Sequence, residues 1–306
     1  MAALAFGHKN PDTDTVVSAL AAADLKTKTG TETKAVTLGE CTPETVFVLE
    51  KFGIAKPEIV SSVAGQDVVI VDTTDLAQLP DDIAEANVLA IFDHHKLGDL
   101  TTSSPLEMWV GPVGCSATMI YKAYKASNVE IPKDLAGAML CALLSDTVMF
   151  KSVTCTEEDK AVAADLAKIA GVSDMMALGM EMFKVKSAVD GATASELVFR
   201  DYKDFDMSGK KVGIGQLEVV DLSMLDARKA ELAEEIKKVK ADGRHSVFLL
   251  LTDIMKEGSQ MLIVSDDASV VEKAFGVAGD AEVWLEGVMS RKKQVVPNFE
   301  KAFSAL

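Results

Sequence analysis

The chain has 306 residues, enough for two domains of ordinary size, and its 48% apolar and 25% charged residues exclude an intrinsically disordered protein. A formal net charge of −16 excludes a general nucleic-acid track, because a phosphate backbone demands a net basic face. No window approaches the roughly 20 apolar residues of a membrane span, and residues 1–6 lack the basic start of a signal peptide, so a cytoplasmic protein without membrane partners is expected. The first half of the chain alternates strand and helix signals. Residues 4–6 form a short strand, and an alanine-rich helix starts at Asp14-Thr15 and can end in a left-handed cap at Gly30. A strand at 35–38 precedes a helix with Thr42 as N-cap and Pro43 in its first position. The runs 68–71 and 88–92 are nearly all apolar, the pattern of strands buried on both faces of a parallel sheet. Helices follow near 115–127, 133–147, 156–170 and 173–184.

The fold class expected is therefore α/β. An N-terminal doubly wound, mostly parallel sheet domain over 1–186 is followed by a small, polar linker at 187–194. The remainder, 195–306, predicts a smaller mixed α/β domain: a strand at 211–219, a helix at 222–241, a hairpin from 246–252 to 260–265, a helix near 267–275 and a strand near 282–288. Four cysteines (Cys41, Cys115, Cys141 and Cys155) have no C-x-x-C spacing and are expected as reduced thiols.

Chemistry concentrates at the ends of the N-terminal strands. His8, Asp12 and Asp14 share the turn between the first strand and helix. Either aspartate alone would read as a helix cap, but capping does not explain His8. Asp72 ends Val-Ile-Val-Asp, where a lone acid would simply start a turn. Asp93-His94-His95 ends the next strand, and an acid before paired imidazoles is seldom accidental. Asp146 closes an otherwise apolar helix, where an uncompensated carboxylate would be costly. Together His8, Asp12, Asp14, Asp72, His94 and Asp146 supply nitrogen and oxygen ligands for two adjacent cations, a set that suits manganese or cobalt better than magnesium. Far along the chain, Arg291-Lys292-Lys293 is the densest basic cluster of the second domain. Such a triplet is usually a solvated face, but a planar guanidinium beside lysines also fits a phosphate clamp.

These residues resemble the DHH phosphoesterase superfamily, and more closely the family II (manganese-dependent) inorganic pyrophosphatases. The matching stretches are Gly7-His8-Lys9-Asn10-Pro11-Asp12-Thr13-Asp14-Thr15, Val71-Asp72, Asp93-His94-His95-Lys96, Pro112-Val113-Gly114-Cys115-Ser116-Ala117-Thr118, Ser145-Asp146-Thr147 and Ser290-Arg291-Lys292-Lys293-Gln294. The resemblance implies one Mn²⁺ on His8, Asp12 and Asp72 and a second on Asp14, Asp72, His94 and Asp146, with Asp72 bridging. Co²⁺ or Mg²⁺ would be possible substitutes, and further Mg²⁺ would arrive with the substrate. His95, Lys203, Arg291 and Lys292 would bind pyrophosphate, with His95 also assisting the leaving phosphate. A hydroxide bridging the cations would attack phosphorus in line, and closure of the two domains would be needed. A homodimer is implied as well. One departure stands out: members often carry histidine-asparagine after the bridging aspartate, where this chain has Thr73-Thr74.

Two other readings compete. A superfamily phosphodiesterase acting on oligonucleotides or cyclic dinucleotides usually carries a glycine-rich C-terminal motif, yet this chain has no Gly-Gly pair and only three tyrosines and two tryptophans for base stacking. A non-catalytic, metal-dependent phosphate sensor would be expected to have lost ligands, and every expected ligand is present.

Overall fold

The computed structural model describes residues 2–187, 189, 191–267 and 269–305. The chain divides into two compact units, 1–185 and 186–306. Of the expected linker, Ala188 and Asp190 lie outside the described residues.

The first unit is built on a six-stranded sheet in the order β3-β2-β1-β4-β5-β6, with every pairing parallel. Its strands are β1 (Ala3–Phe6), β2 (Thr33–Thr37), β3 (Glu58–Ile59), β4 (Asp67–Val71), β5 (Asn87–Asp93) and β6 (Glu107–Val110). Helices α1 (Thr13–Lys28), α2 (Pro43–Lys51), α3 (Ser116–Ala126), α4 (Lys133–Asp146), α5 (Glu157–Ala170) and α6 (Met175–Lys186) complete it. Val68 to Val71 are buried, as their unbroken apolar run demands. Alanines on α1 let it lie close to the sheet and to α4, whose residues from Leu135 to Ser145 are all buried. Asp12 caps α1, accepting from Thr15 N at 2.9 Å, and Thr42 caps α2. Thr29 ends α1 and Gly30 follows at φ +104°, the left-handed exit expected there.

Chain order reverses beside β1: the strands run outward to β3, return at β4, and run outward again to β6. Carboxyl ends at such a switch point leave a crevice for ligands. Two glycines close it up. A Cβ on Gly7 would lie 2.8 Å from Val71 O and 2.7 Å from Thr15 Cγ2, and one on Gly114 would lie 2.6 Å from Thr147 Cγ2. Both therefore serve close approach at the strand ends.

The second unit carries a five-stranded mixed sheet, β11-β10-β9-β8-β7, antiparallel except for β8 with β9. Its elements are α7 (Ala194–Phe199), β7 (Tyr202–Met207), β8 (Lys210–Val219), α8 (Lys229–Ala241), β9 (Ser246–Asp253), β10 (Gly258–Ser265), α9 (Ser269–Phe275), β11 (Glu282–Glu286) and α10 (Val296–Ser304). Period-two alternation divides β9 between two cores. Phe248 and Leu250 pack with Phe299 and Phe303 of α10, while Val247, Leu249 and Leu251 pack with Leu232 and Ile236 of α8. The single helix expected at 222–241 is instead a 3₁₀ turn, Leu222–Leu225, followed by α8. Asp221 draws the turn tight by accepting from Ser223 N at 2.8 Å, and Arg228 donates to the carbonyls of Val189 and Ala192 before α8 begins.

Candidate metal centre and phosphate-binding segment

His8 leaves the end of β1, Asp12 and Asp14 flank the start of α1, Asp72 follows β4, His94 follows β5, and Asp146 is the last residue of α4. The structure brings these six side chains into two overlapping groups, His8–Asp12–Asp72 and Asp14–Asp72–His94–Asp146, with the ligand atoms of each group within 4.8 Å of one another. Asp72 belongs to both and offers one oxygen to each: His8 Nε2 lies 3.5 Å from Oδ2, and His94 Nε2 lies 3.4 Å from Oδ1. His8 Nε2 is 3.7 Å from Asp12 Oδ2, and His94 Nε2 is 3.5 Å from Asp146 Oδ2. Two ligand atoms about 2.1 Å from a shared cation, at roughly tetrahedral angles, stand about 3.4 Å apart. The observed spacings have that size.

The hydrogen bonding also fits a cation. His94 Nδ1 lies 3.0 Å from Val113 O, and a carbonyl can only accept, so this nitrogen carries the proton. In a neutral imidazole Nε2 then presents its lone pair to two carboxylates. Accordingly, His94 Nε2 is buried without a hydrogen-bond partner among the described residues, as is His8 Nδ1. Four carboxylates and two imidazoles confined to this space require positive charge. Burial alone would lower the His8 pKa, but hydrogen bonds and charge from Asp12 and Asp72 override it and push His8 up to about 11. Burial likewise opposes the His94 proton, and Asp72 with Asp14 raises that pKa to about 9. Asp14 is pushed up to about 6 by burial, then by the charge of Asp72. Burial would raise Asp72, but His8 and His94 beside it hold its carboxyl well below the usual carboxylate range.

The backbone at Asp72 is unusual. Its φ is +61°, a left-handed conformation that aspartate tolerates better than bulkier residues, and its N–H donates to Phe92 O at 2.9 Å. Val148, Met149 and Phe150 are left-handed too, at φ 49°, 53° and 67°, so the chain turns away directly after α4. Met149 N bonds back to Leu144 O at 2.8 Å, closing the helix just beyond Asp146.

Several groups around these side chains escape sequence reasoning. Thr15 Oγ1 donates to Asp72 Oδ2 at 2.7 Å and Ser116 Oγ to Asp72 Oδ1 at 3.0 Å, fixing the carboxylate from both sides. Asp14 sits at the N-terminus of α3, where Ser116 N (2.7 Å), Ala117 N (3.2 Å) and Cys115 Sγ (3.0 Å) donate to it. Cys115 is thus a buried thiol, free like the other three, that adjoins the acidic cluster. The small residues of Gly114-Cys115-Ser116-Ala117 before an apolar helix were the available signal. Asp93 Oδ1 accepts from the backbone of His94 and His95 and lies 3.0 Å from His95 Nδ1, which leaves the other ring nitrogen of His95 available. Thr73 and Thr74 are buried, and Thr74 Oγ1 accepts from Gly98 N at 2.7 Å, tying this loop to the one after His95.

In the second unit, Lys203 projects from the exposed edge strand β7 opposite Ile214 of β8. Arg291 and Lys292 open a π-helical turn, Arg291–Val295. Arg291 Nη1 reaches Ile214 O at 3.3 Å, so it neighbours the Lys203 pairing. Gln216, buried on β8, accepts from Arg291 N at 3.0 Å and donates to Met289 O at 3.0 Å. Gln294 Oε1 accepts from Met289 N and Ser290 N, both at 2.9 Å. The basic turn is therefore pinned by two glutamines.

A parallel sheet with acids and imidazoles at its switch point, followed by a mixed-sheet unit, defines a DHH-type protein: residues 3–143 match the DHH family, N-terminal domain, and residues 180–302 match the DHHA2 domain. The chain is 53% identical to a probable manganese-dependent inorganic pyrophosphatase of Archaeoglobus fulgidus over 98% of both chains. It is 44% identical to the manganese-dependent inorganic pyrophosphatase of Bacillus subtilis over 96% of both. A crystal structure of a Methanococcus jannaschii protein assigned to the family II inorganic pyrophosphatases superposes with TM-score 0.83 at 43% identity, covering 99% of this chain and 100% of that one. The chain belongs to the family of manganese-dependent (family II) inorganic pyrophosphatases.

Proposed function

We propose that this protein hydrolyses inorganic pyrophosphate to two phosphates at the acidic cluster of its first unit, with manganese as the working metal. The observation that carries the reading is Asp72, shared by both ligand groups with one carboxylate oxygen turned to each. His8 and Asp12 would hold one ion, Asp14, His94 and Asp146 the other, and Asp72 both. When bound, the pair would supply Lewis-acid activation of a water nucleophile and would offset phosphoryl charge.

The remaining steps belong to side chains. Thr15 and Ser116 keep the Asp72 carboxylate from rotating, and Asp93 holds the His95 ring so that its free nitrogen can bind and protonate the leaving phosphate. Arg291, Lys292 and Lys203 would bind the phosphoryl oxygens, the guanidinium as a fork and the lysines as point charges. No helix among the described residues is long and apolar enough to cross a membrane, and the family resemblance supports a homodimeric, cytoplasmic enzyme.

The test is phosphate release from pyrophosphate by the full chain with Mn²⁺, Co²⁺ or Mg²⁺, before and after chelation. Turnover with Mn²⁺, its loss on chelation and its return on re-addition are expected. Preference for a nitrophenyl phosphodiester, or tight pyrophosphate binding without turnover, would overturn the reading in favour of a phosphodiesterase or a sensor.

A further inference from the structure

Arg291 is not a free cation. Its side chain is only 10% exposed and is gripped by one residue: Nη2 donates to Asp201 Oδ1 and Nη1 to Asp201 O, both at 2.6 Å. Nη1 also reaches Ile214 O at 3.3 Å, which occupies its second proton. A guanidinium has five N–H groups in a rigid plane. With three committed, Nε–H and one Nη2–H have no partner among the described residues, and these form one edge of the fork, with the spacing that binds two oxygens of a phosphoryl group side by side. Asp201 O accepts from Gln216 N as well, at 2.8 Å, so Asp201 is itself anchored to β8.

A carboxylate this close to a segment meant for an anion opposes substrate binding through its charge. Its presence needs a compensating benefit, and orientation is the one this geometry offers. We infer that Asp201 is a positioning residue for Arg291, holding the guanidinium by one edge so that the other meets a phosphoryl group of pyrophosphate. The inference rests on the proposal that Arg291 binds substrate. Without the Asp201 carboxylate the guanidinium keeps only its two carbonyl contacts, both through Nη1, and substrate must complete its ordering on binding.

Steady-state kinetics on the manganese-loaded full-length enzyme test this, with thermal unfolding confirming that each variant is folded. Asp201→Ala should raise KM for pyrophosphate by about tenfold to a hundredfold while changing kcat by no more than about twofold, the scale of losing a support behind a ligand-binding group. Asp201→Asn keeps an oxygen acceptor in the same place and should recover most of the loss. A residue needed only for folding would give neither the KM-against-kcat split nor that rescue. The double variant Arg291→Ala/Asp201→Ala should be no worse than Arg291→Ala alone. If Arg291→Ala raises KM but Asp201→Ala leaves it unchanged or lowers it, the positioning role is wrong and the clamp stands. If Arg291→Ala leaves KM unchanged, the clamp reading fails and the inference falls with it.

Discussion

The two functional segments solve opposite electrostatic problems. At the strand ends of the first unit, four carboxylates and two imidazoles stand together, and the carboxylates hold the pKa values of His8 and His94 well up. In the second unit the cation Arg291 already has its counter-ion, Asp201, and its backbone is pinned by Gln216. The first gathers ligand atoms whose negative charges oppose one another; the second is a donor already held in place. A site that must capture an ion keeps unspent ligand atoms, whereas one that must orient an anion fixes its donors beforehand.

The sharpest way to break this contrast is Asp72→Ala, which removes the residue common to both groups. Turnover should fall on the order of 1,000-fold or more, comparable with losing a principal electrostatic group, while the fold survives in circular dichroism. Wild-type-like phosphate release would refute the shared role. A smaller effect is expected from Ser116→Ala, which frees one side of Asp72 and leaves every proposed ligand in place. Mn²⁺ affinity should drop about tenfold, read by titration calorimetry, as for partners that orient ligands elsewhere.

Protons sharpen the same comparison. His94, at about 9, and His8, at about 11, both carry a proton near neutral pH in the metal-free protein, and both must lose it to ligate. Raised imidazole pKa values therefore weaken metal binding as pH falls and favour it as pH rises toward 9. Affinity for Mn²⁺ should climb with pH between 6 and 8, and calorimetry in buffers of different ionisation enthalpy should find about two protons released per chain at neutral pH. A pH-independent affinity would contradict protonated histidines in the free site.

Much of this was legible in the sequence, for identifiable reasons. Strands buried on both faces leave continuous apolar runs, so β4 and β5 stood out, and polar residues closing such runs marked His8, Asp72 and His94. Asp146 was visible because a carboxylate ends the apolar α4. Edge elements were harder. β7 reads Tyr-Lys-Asp-Phe-Asp-Met, half of it charged and exposed, so its alternation looks like a loop. α10 is short, follows a basic run and carries Pro297 near its start, which hides the Phe299–Phe303 face that closes one core. Groups that act through the backbone were legible at most as a motif: Gly114-Cys115-Ser116-Ala117 stood out as a stretch, but its amides on Asp14, like the left-handed turn at Asp72, belong to tertiary geometry.

Stoichiometric Mn²⁺ binding to the full chain, with the ions located by anomalous diffraction, tests the shared-carboxylate centre most directly. Two ions per chain are predicted, one beside His8 and Asp12, one beside Asp14, His94 and Asp146, with Asp72 touching both. A single ion, or ions bound away from Asp72, would contradict it.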